Sequence, residues 1–150
     1  GTGYGSNLLS QFAKSVNATE LDLSLLVRAR ERFQKDNLAY TDTPIQQQYD
    51  VVVSLEVIEH MSKEYGYKLL DHIHAHTKSK GLAFISTPRK IDNPSENRKE
   101  YHLHEYTHQE FRAMLEERFD AVLVFAQNDE LISSQNLDNA WNFMAICFKS

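Results

Sequence analysis

The sequence has little cysteine, proline and glycine, and it has no long apolar run. Its single cysteine, Cys147, excludes an internal disulfide framework and favours a reducing, cytoplasmic setting. No segment approaches the ~20 apolar residues of a membrane-spanning helix, and none has the form of a secretory signal. Apolar residues make up 41% of the chain and charged residues 25%, which excludes a disordered or collagen-like protein. The length of 150 residues predicts a single domain over residues 1–150.

A surplus of basic residues is also missing. Lys and Arg total 16 against 21 Asp and Glu, giving a formal net charge of −5. A protein that holds nucleic acid through its phosphates normally carries a basic face. The one basic cluster, residues 89–99, also contains acids, so we expect a solvated loop there and no nucleic-acid partner. Nothing in the sequence indicates an oligomeric state.

Three of the five glycines stand together in Gly1-Thr2-Gly3-Tyr4-Gly5. A glycine-rich turn lets the backbone approach a bound cofactor and leads into a helix N-terminus. Asp22 lies about twenty residues further on, at the end of a predicted strand, where an acid can bind ribose hydroxyls. Together these features predict a nucleotide-like ligand. The spacing differs from the G-x-G-x-x-G of dinucleotide-binding proteins, which argues against a nicotinamide cofactor.

Strand and helix patterns alternate along the chain with short connections, which predicts an α/β fold with a doubly wound, mostly parallel sheet. The predicted strands are 18–23, 38–40, 51–55, 82–86, 121–125 and 143–148, and the predicted helices are 7–15, 25–35, 62–78 and 109–118. The β-branched run 51–55 is typical of a strand buried on both faces. The last two strands have no helix between them, so we expect them to form an antiparallel pair at the sheet edge. Ser24 and Thr107 are predicted helix caps, Thr107 with the capping-box partner Glu110.

Acids and a histidine follow directly on the most apolar strand, in the segment that contains Glu56, Glu59 and His60. Ligands of open α/β sheets bind at the carboxyl ends of the strands. We therefore expect these side chains to face the ligand. A second polar cluster, which contains His102 and His104, lies between strand 82–86 and the following helix.

Five segments, taken in order, resemble the class I S-adenosylmethionine-dependent methyltransferases, and most nearly the broad group typified by ubiquinone-biosynthesis and glycan methyltransferases. They are Gly1-Thr2-Gly3-Tyr4-Gly5, Asp22-Leu23-Ser24, residues 49–61, Ile85-Ser86-Thr87-Pro88 and residues 102–111. The resemblance covers essentially the whole chain. It implies a Rossmann-like fold, S-adenosylmethionine as methyl donor and S-adenosylhomocysteine as product.

The residues that match cofactor-binding positions of this family are Gly1, Gly3, Gly5, Asp22, Leu23, Asp42, Leu55 and Glu56. By the resemblance, the glycines would contact the methionine and ribose, Asp22 would bind the ribose hydroxyls, and Leu23 would lie against the adenine. Asp42 would accept from the adenine amino group, and the last two residues would border the pocket of the transferred methyl group.

The family motif begins with an apolar strand that precedes the glycines and is normally central in the sheet order 3-2-1-4-5-7-6. This sequence starts inside the motif, so we expect that first central strand to be missing upstream of Gly1 and the domain to be N-terminally incomplete. The segment 42–50 is also shorter than is usual, which predicts a remodelled adenine wall.

In the family, the segment around His102 and His104 often covers the acceptor. Methyl transfer from a sulfonium is a displacement, and a base that removes a hydroxyl proton adds about 10²–10⁴-fold. His104 is the first candidate for this base and His102 the second. The sequence thus favours methyl transfer to a small-molecule or glycan-type acceptor, at oxygen, with no metal assigned.

Two alternatives stay open. Glu56, Glu59, His60 and His104 resemble the metal-binding set of small-RNA 3′-terminal 2′-O-methyltransferases, in which a divalent ion would orient the terminal ribose hydroxyls. The incomplete motif and the short segment 42–50 also fit a non-catalytic cofactor-binding or scaffolding module.

Overall fold

A computed structural model describes all 150 residues, which form two compact units, Gly1–Gln47 and Gln48–Ser150. The elements of the first unit are α1 (Tyr4–Leu9), β1 (Val16–Thr19), α2 (Leu23–Arg32) and β2 (Leu38–Thr41). β1 and β2 pair in parallel. The buried side chains of this unit are Leu26 and Ala29 of α2 and Leu38 and Tyr40 of β2. That the whole chain acts as one domain stays a prediction.

The start of α2 differs from the sequence prediction. Asp22, and not Ser24, is the N-cap, because its Oδ1 accepts hydrogen bonds from the backbone N–H groups of Ser24 (2.8 Å) and Leu25 (3.2 Å). β1 correspondingly ends at Thr19, before Asp22. The acid that was expected to end a strand therefore begins a helix, as carboxylates commonly do.

The second unit contains a five-stranded sheet with helices packed on it. Its elements are β3 (Tyr49–Leu55), α3 (Lys63–His76), β4 (Thr77–Pro88), α4 (Glu96–Tyr101), α5 (His108–Glu116), β5 (Ala121–Asn128), β6 (Leu131–Ser133) and β7 (Asn142–Phe148). The strand order is β3-β4-β7-β5-β6. β4 is parallel to β3, and β7 is antiparallel to both β4 and β5, so three of the five strands run the same way.

This sheet confirms the Rossmann-like, mostly parallel fold with an antiparallel last strand. The expected position of that strand was wrong. β7 lies between β4 and β5 inside the sheet, and the edge is formed by β6, which pairs antiparallel with β5. None of the helices is both long and apolar enough to cross a membrane.

β3 is the other edge of the sheet, and no strand of the chain pairs with its open side. Val51 is 46% exposed and Val53 37% exposed, so the expected burial of this strand on both faces was wrong. An apolar run in the sequence indicates a strand, but it does not show whether another part of the chain packs against that strand.

The capping box that the sequence predicted at Thr107 is confirmed, and Ser62, where a helix was predicted to begin, is the N-cap of α3. Ser62 caps α3 through the backbone N–H of Tyr65, and Thr107 forms a capping box with Glu110 at the start of α5. The core under the sheet contains large apolar side chains, among them Phe111, Phe143 and Leu70. The helix caps and the core contacts together hold in place the segments at the ends of β3 and β4.

Candidate functional site

Gly3 holds the glycine segment of the first unit in place. It precedes α1 with φ +80°, a left-handed conformation that favours glycine. A Cβ on Gly3 would lie 2.7 Å from the Tyr40 hydroxyl oxygen and 2.8 Å from the Ala29 Cβ. Around Gly1 and Gly5, by contrast, a Cβ would meet nothing within 4 Å. The fold itself therefore requires glycine at position 3, while Gly1 and Gly5 border open space.

Asp22, the N-cap of α2, and Leu23, the first residue of α2, are both exposed. The hydroxyl of Ser24 and the backbone N–H groups of Leu25 and Ser24 hold the pKa of Asp22 below its usual range. All three bonds go to Oδ1, so Oδ2 takes part in none of them. Leu23 is 63% exposed, and its contact with a cofactor stays a prediction. Asp42 is also exposed, and its Oδ1 accepts a hydrogen bond from the Thr43 hydroxyl.

Leu55 and Glu56 lie where β3 ends, in the second unit. Glu56 has φ +53°, a left-handed conformation that costs a residue with a Cβ about 1–2 kcal/mol. Ser86 at the end of β4 holds it there. The Glu56 backbone N–H donates to the Ser86 Oγ (3.1 Å), and the Ser86 hydroxyl donates to Glu56 Oε1 (2.5 Å). The neighbouring strand thereby fixes the direction of the exposed Glu56 carboxylate.

Glu59 lies three residues further on, in a single turn of 3₁₀ helix, and is 1% exposed. Its Oε2 accepts a hydrogen bond from the Thr87 hydroxyl (3.2 Å), and its Oε1 lies 3.8 Å from His60 Nε2. Burial raises the pKa of Glu59, and the nearby charge of Glu56 raises it further. The strand end therefore carries one exposed and one buried carboxyl group.

His60 and His102 lie beside Glu59, with ring centroids 5.2 Å apart. The Nδ1 of His60 is 2.7 Å from the backbone carbonyl oxygen of Tyr101, which can only accept, so this nitrogen carries the proton. The Nδ1 of His102 lies 2.5 Å from Glu105 Oε1. One ligand atom from each of Glu59, His60 and His102 lies within 4.8 Å of the other two. We refer to these three side chains as the Glu59–His60–His102 cluster.

Glu105 links His102 to Arg98. Its Oε1 accepts from Arg98 Nε at 2.5 Å as well as from His102, and Arg98 also donates to the carbonyl oxygen of Arg89. Burial raises the pKa of Glu105, but the hydrogen bonds from Arg98 and His102 outweigh burial, so the pKa lies below its usual value. Glu105 is therefore an ionised acceptor that fixes the orientation of the His102 ring.

His104, the first candidate for the base, is placed differently. Its ring packs edge-on against Tyr106, its backbone N–H donates to the Glu59 carbonyl oxygen, and its Nε2 is buried without a hydrogen-bond partner. Burial lowers the pKa of His104, which favours the neutral ring. The structure thus brings the side chain of His102, and not that of His104, together with the side chains of Glu59 and His60. That either histidine acts as a base stays a prediction.

A cavity of about 220 Å³ lies beside His102 and His104. Its lining includes three basic residues from the segment between β4 and α5, namely Lys90, Arg98 and Lys99. Arg98 is bound to Glu105, and Lys99 pairs with Glu96. The acids of this segment thus neutralise part of its basic charge, as the sequence predicted.

Comparison with known proteins gives one family and a common fold. The family described as "methyltransferase domain" matches residues 1–125, and a comparison with curated proteins gives no match. The small RNA methyltransferase HEN1 superposes with a TM-score of 0.77 at 16% identity, covering 100% of this chain and 22% of that protein.

Two shorter enzymes superpose over most of their own length. The N-methyltransferase NodS from Bradyrhizobium japonicum, in complex with S-adenosylhomocysteine, gives a TM-score of 0.67 at 12% identity, covering 99% of this chain and 73% of that one. A TehB-like SAM-dependent methyltransferase from Corynebacterium glutamicum gives 0.67 at 18% identity, covering 100% and 76%. At these identities the structural likeness establishes the fold alone.

Proposed function

This chain belongs to the family of methyltransferase domains, and we propose that it transfers a methyl group from S-adenosylmethionine to a small-molecule or glycan-type acceptor, at an oxygen atom. The family match over residues 1–125 carries the proposal, because it spans every residue predicted to bind the cofactor and both candidate histidines. It also confirms the resemblance found in the sequence. The narrower likeness to ubiquinone and glycan methyltransferases stays a prediction.

The described residues support the donor side of this reaction. Asp22 is an exposed, ionised carboxylate with one oxygen outside its capping bonds, which suits a ribose hydroxyl. Leu23 offers an exposed apolar side chain, and Gly1 and Gly5 border open space. Leu55 is half exposed at the end of β3, beside the fixed carboxylate of Glu56. S-adenosylhomocysteine leaves as the product.

On the acceptor side, the protein mainly aligns the attacking atom with the sulfonium methyl group, and good alignment contributes about 7–11 kcal/mol. The cavity of about 220 Å³ beside His102 suits a small acceptor or the end of a larger one. A hydroxyl must also lose its proton. Of the two candidate histidines, His102 is the better placed, since its ring lies in the partly exposed cluster while the His104 Nε2 is buried.

RNA is the second candidate acceptor. Two observations favour it: the Glu59–His60–His102 cluster, and the likeness in fold to the small RNA methyltransferase HEN1. The net charge of −5 argues against it. A methylation assay with a short RNA tests this candidate. If an RNA with free 2′ and 3′ terminal hydroxyls is methylated and the same RNA ending in a 2′-deoxynucleotide is not, the acceptor is RNA and not a small molecule.

Calorimetric titration of the purified protein with S-adenosylhomocysteine tests the proposed cofactor. We expect binding, and we expect Asp22→Asn to weaken it about tenfold, because the amide removes the charge that favours the ribose hydroxyls. Asparagine is an equally good N-cap, so the melting temperature should hardly change. Asp36→Asn, at an exposed acid of the same unit, is the matched control. A protein that binds no S-adenosylhomocysteine refutes methyl transfer, and binding without turnover on any acceptor favours the non-catalytic module.

A further inference from the structure

The cavity of about 220 Å³ next to His102 has a basic lining, although the chain as a whole has a net charge of −5. Three of its lining side chains are cations: Lys90, Arg98 and Lys99. The one acid in the lining is Glu105. We infer that this cavity binds an anionic group, a carboxylate or a phosphate, of a small-molecule acceptor. The inference rests on the proposed function and adds to it the charge of the acceptor.

Glu105 does not strongly oppose a bound anion, because its charge is already paired within the protein. Its side chain is 8% exposed, and its Oε1 accepts from Arg98 Nε at 2.5 Å and lies 2.5 Å from His102 Nδ1. Arg98 also donates through Nη2 to the carbonyl oxygen of Arg89 (2.8 Å), so its Nη1 is outside these bonds. The lining therefore keeps the charges of its two lysines for a ligand, together with one guanidinium nitrogen that can donate to it.

Lys90 carries an ammonium group that forms neither an ion pair nor a hydrogen bond. Its backbone N–H donates to the Tyr106 carbonyl oxygen at 2.9 Å, so the residue is held in place while its side chain is exposed. The charge of Lys90 reaches Glu110, but that carboxylate accepts from Thr107 in the capping box of α5. Lys90 can therefore pair with an anion that enters the cavity.

Lys99 can exchange its present partner for a ligand. Its ammonium group pairs with Glu96 Oε1 at 2.6 Å, three residues earlier on α4. Both side chains are exposed, Glu96 to 91%. Such a pair contributes little to stability, because water screens the charges and both long side chains lose rotamer freedom. An anion held in the cavity by several groups therefore competes readily with the Glu96 carboxylate for Lys99.

The backbone around the cavity is held in place before a ligand binds. Ser95 caps α4 through the backbone N–H of Arg98, and the backbone N–H of His102 donates to the Arg98 carbonyl oxygen at 2.8 Å. The side chain of Arg98 is bound to Glu105 and to the backbone of Arg89. Binding therefore has to order few groups besides the two lysine side chains, which favours affinity.

Two features favour a compact anion over a nucleic acid. The volume of about 220 Å³ is below the roughly 300–1,000 Å³ that is typical for drug-sized ligands. The basic groups of the cavity come from one short segment of an acidic chain, whereas RNA held through several phosphates needs an extended basic face. A cleft lined by one sign of charge also concentrates ligands of the opposite sign. With its anionic group at the lysines, a small acceptor would keep its hydroxyl in the cavity that His102 lines.

Titration with small anions tests the inference. Purified ¹⁵N-labelled protein is titrated with acetate, with inorganic phosphate and with acetamide, the uncharged counterpart of acetate, at constant ionic strength. Binding is followed by the NMR shifts of the backbone amides that line the cavity. We expect a saturable shift of these amides with at least one anion and none with acetamide. The tighter of the two anions distinguishes a carboxylate from a phosphate as the group that the cavity prefers.

Three lysine variants locate the site. Lys90→Gln and Lys99→Gln remove one charge each from the lining and should each weaken anion binding by up to about fivefold, as expected for an exposed ion pair. Lys68→Gln is the matched control, because Lys68 forms the same kind of exposed helical pair with Glu64 but does not line the cavity. It should bind the anion like the unaltered protein.

The inference is overturned if neither anion shifts the lining amides, if acetamide binds as well as the anions, or if Lys68→Gln loses as much affinity as Lys99→Gln. A trinucleotide RNA that binds this cavity more tightly than either anion would assign it to nucleic acid and overturn the small-molecule acceptor. Binding of S-adenosylhomocysteine is measured separately. A protein that binds S-adenosylhomocysteine but neither anion contradicts this inference alone, whereas one that binds an anion but no S-adenosylhomocysteine contradicts the proposed methyl transfer.

Discussion

Replacing Gly3 by alanine separates the structural role of the glycine segment from its predicted contact with the cofactor. The left-handed backbone at φ +80° costs an alanine about 1–2 kcal/mol. The new Cβ would also lie 2.7 Å from the Tyr40 hydroxyl oxygen and 2.8 Å from the Ala29 Cβ, inside the small core of the first unit. Overpacking of a core typically costs about 1–3 kcal/mol. We expect Gly3→Ala to lower the free energy of unfolding by about 2–5 kcal/mol.

Gly5→Ala is the matched substitution, two residues away. Gly5 lies in α1, has no positive φ, and would meet nothing within 4 Å of a new Cβ. Alanine is favoured over glycine in a helix by about 0.5–1 kcal/mol, so this variant should be slightly more stable. If Gly5 also lies against the cofactor, as the resemblance implies, the variant should bind S-adenosylhomocysteine less tightly although its fold is intact.

Urea unfolding followed by circular dichroism measures both stabilities, and calorimetry measures both affinities. A loss of less than about 1 kcal/mol in Gly3→Ala would refute the steric argument, because the strain of a left-handed alanine alone accounts for that much. Equal stability losses in the two variants would also contradict it, since only Gly3 meets close neighbours.

Two further predictions concern the second unit. Thr107→Ala removes the capping box of α5 and should lower the free energy of unfolding by about 1 kcal/mol. Thr107→Ser keeps the hydroxyl and should lose less stability. Thermal denaturation compares the variants, and an alanine variant that melts at the same temperature as the original protein would contradict the role of the cap. Cys147 is buried, which raises the pKa of its thiol to about 12, so a thiol-specific reagent at pH 8 should modify it only after urea unfolding. Rapid modification of the folded protein would contradict that burial.

Elements governed by local rules could be predicted from the sequence. The Thr107 capping box depends on residues within one helical turn and is present, and α3 begins at Ser62 as predicted, whereas the N-cap of α2 is Asp22 and not Ser24. β6 was missed because its three residues are exposed and show no alternation of burial. The exposure of Val51 and Val53 was also missed, since it depends on which strand lies beside β3 and not on β3 itself.

The candidate site was predicted in part for the same reason. Glu56, Glu59 and His60 follow a strand end, and a general rule for α/β sheets points to that place. The choice between His102 and His104 could not be made from spacing, because the two lie in an irregular segment without a helical or strand period. It depends on Glu105, which turns His102 toward the cluster, and on the short helix α4, whose last residue, Tyr101, accepts from His60.

Glu56 shows a conflict between stability and chemistry at a single position. A glycine there would adopt φ +53° without steric cost, but it would carry no carboxylate and could not accept from the Ser86 hydroxyl. Selection for thermal stability alone should therefore favour glycine at position 56, and the function of the Glu56 carboxylate would then be lost. An engineer who wishes to stabilise this protein should leave position 56 unchanged and look for gains elsewhere, for example on the exposed face of β3.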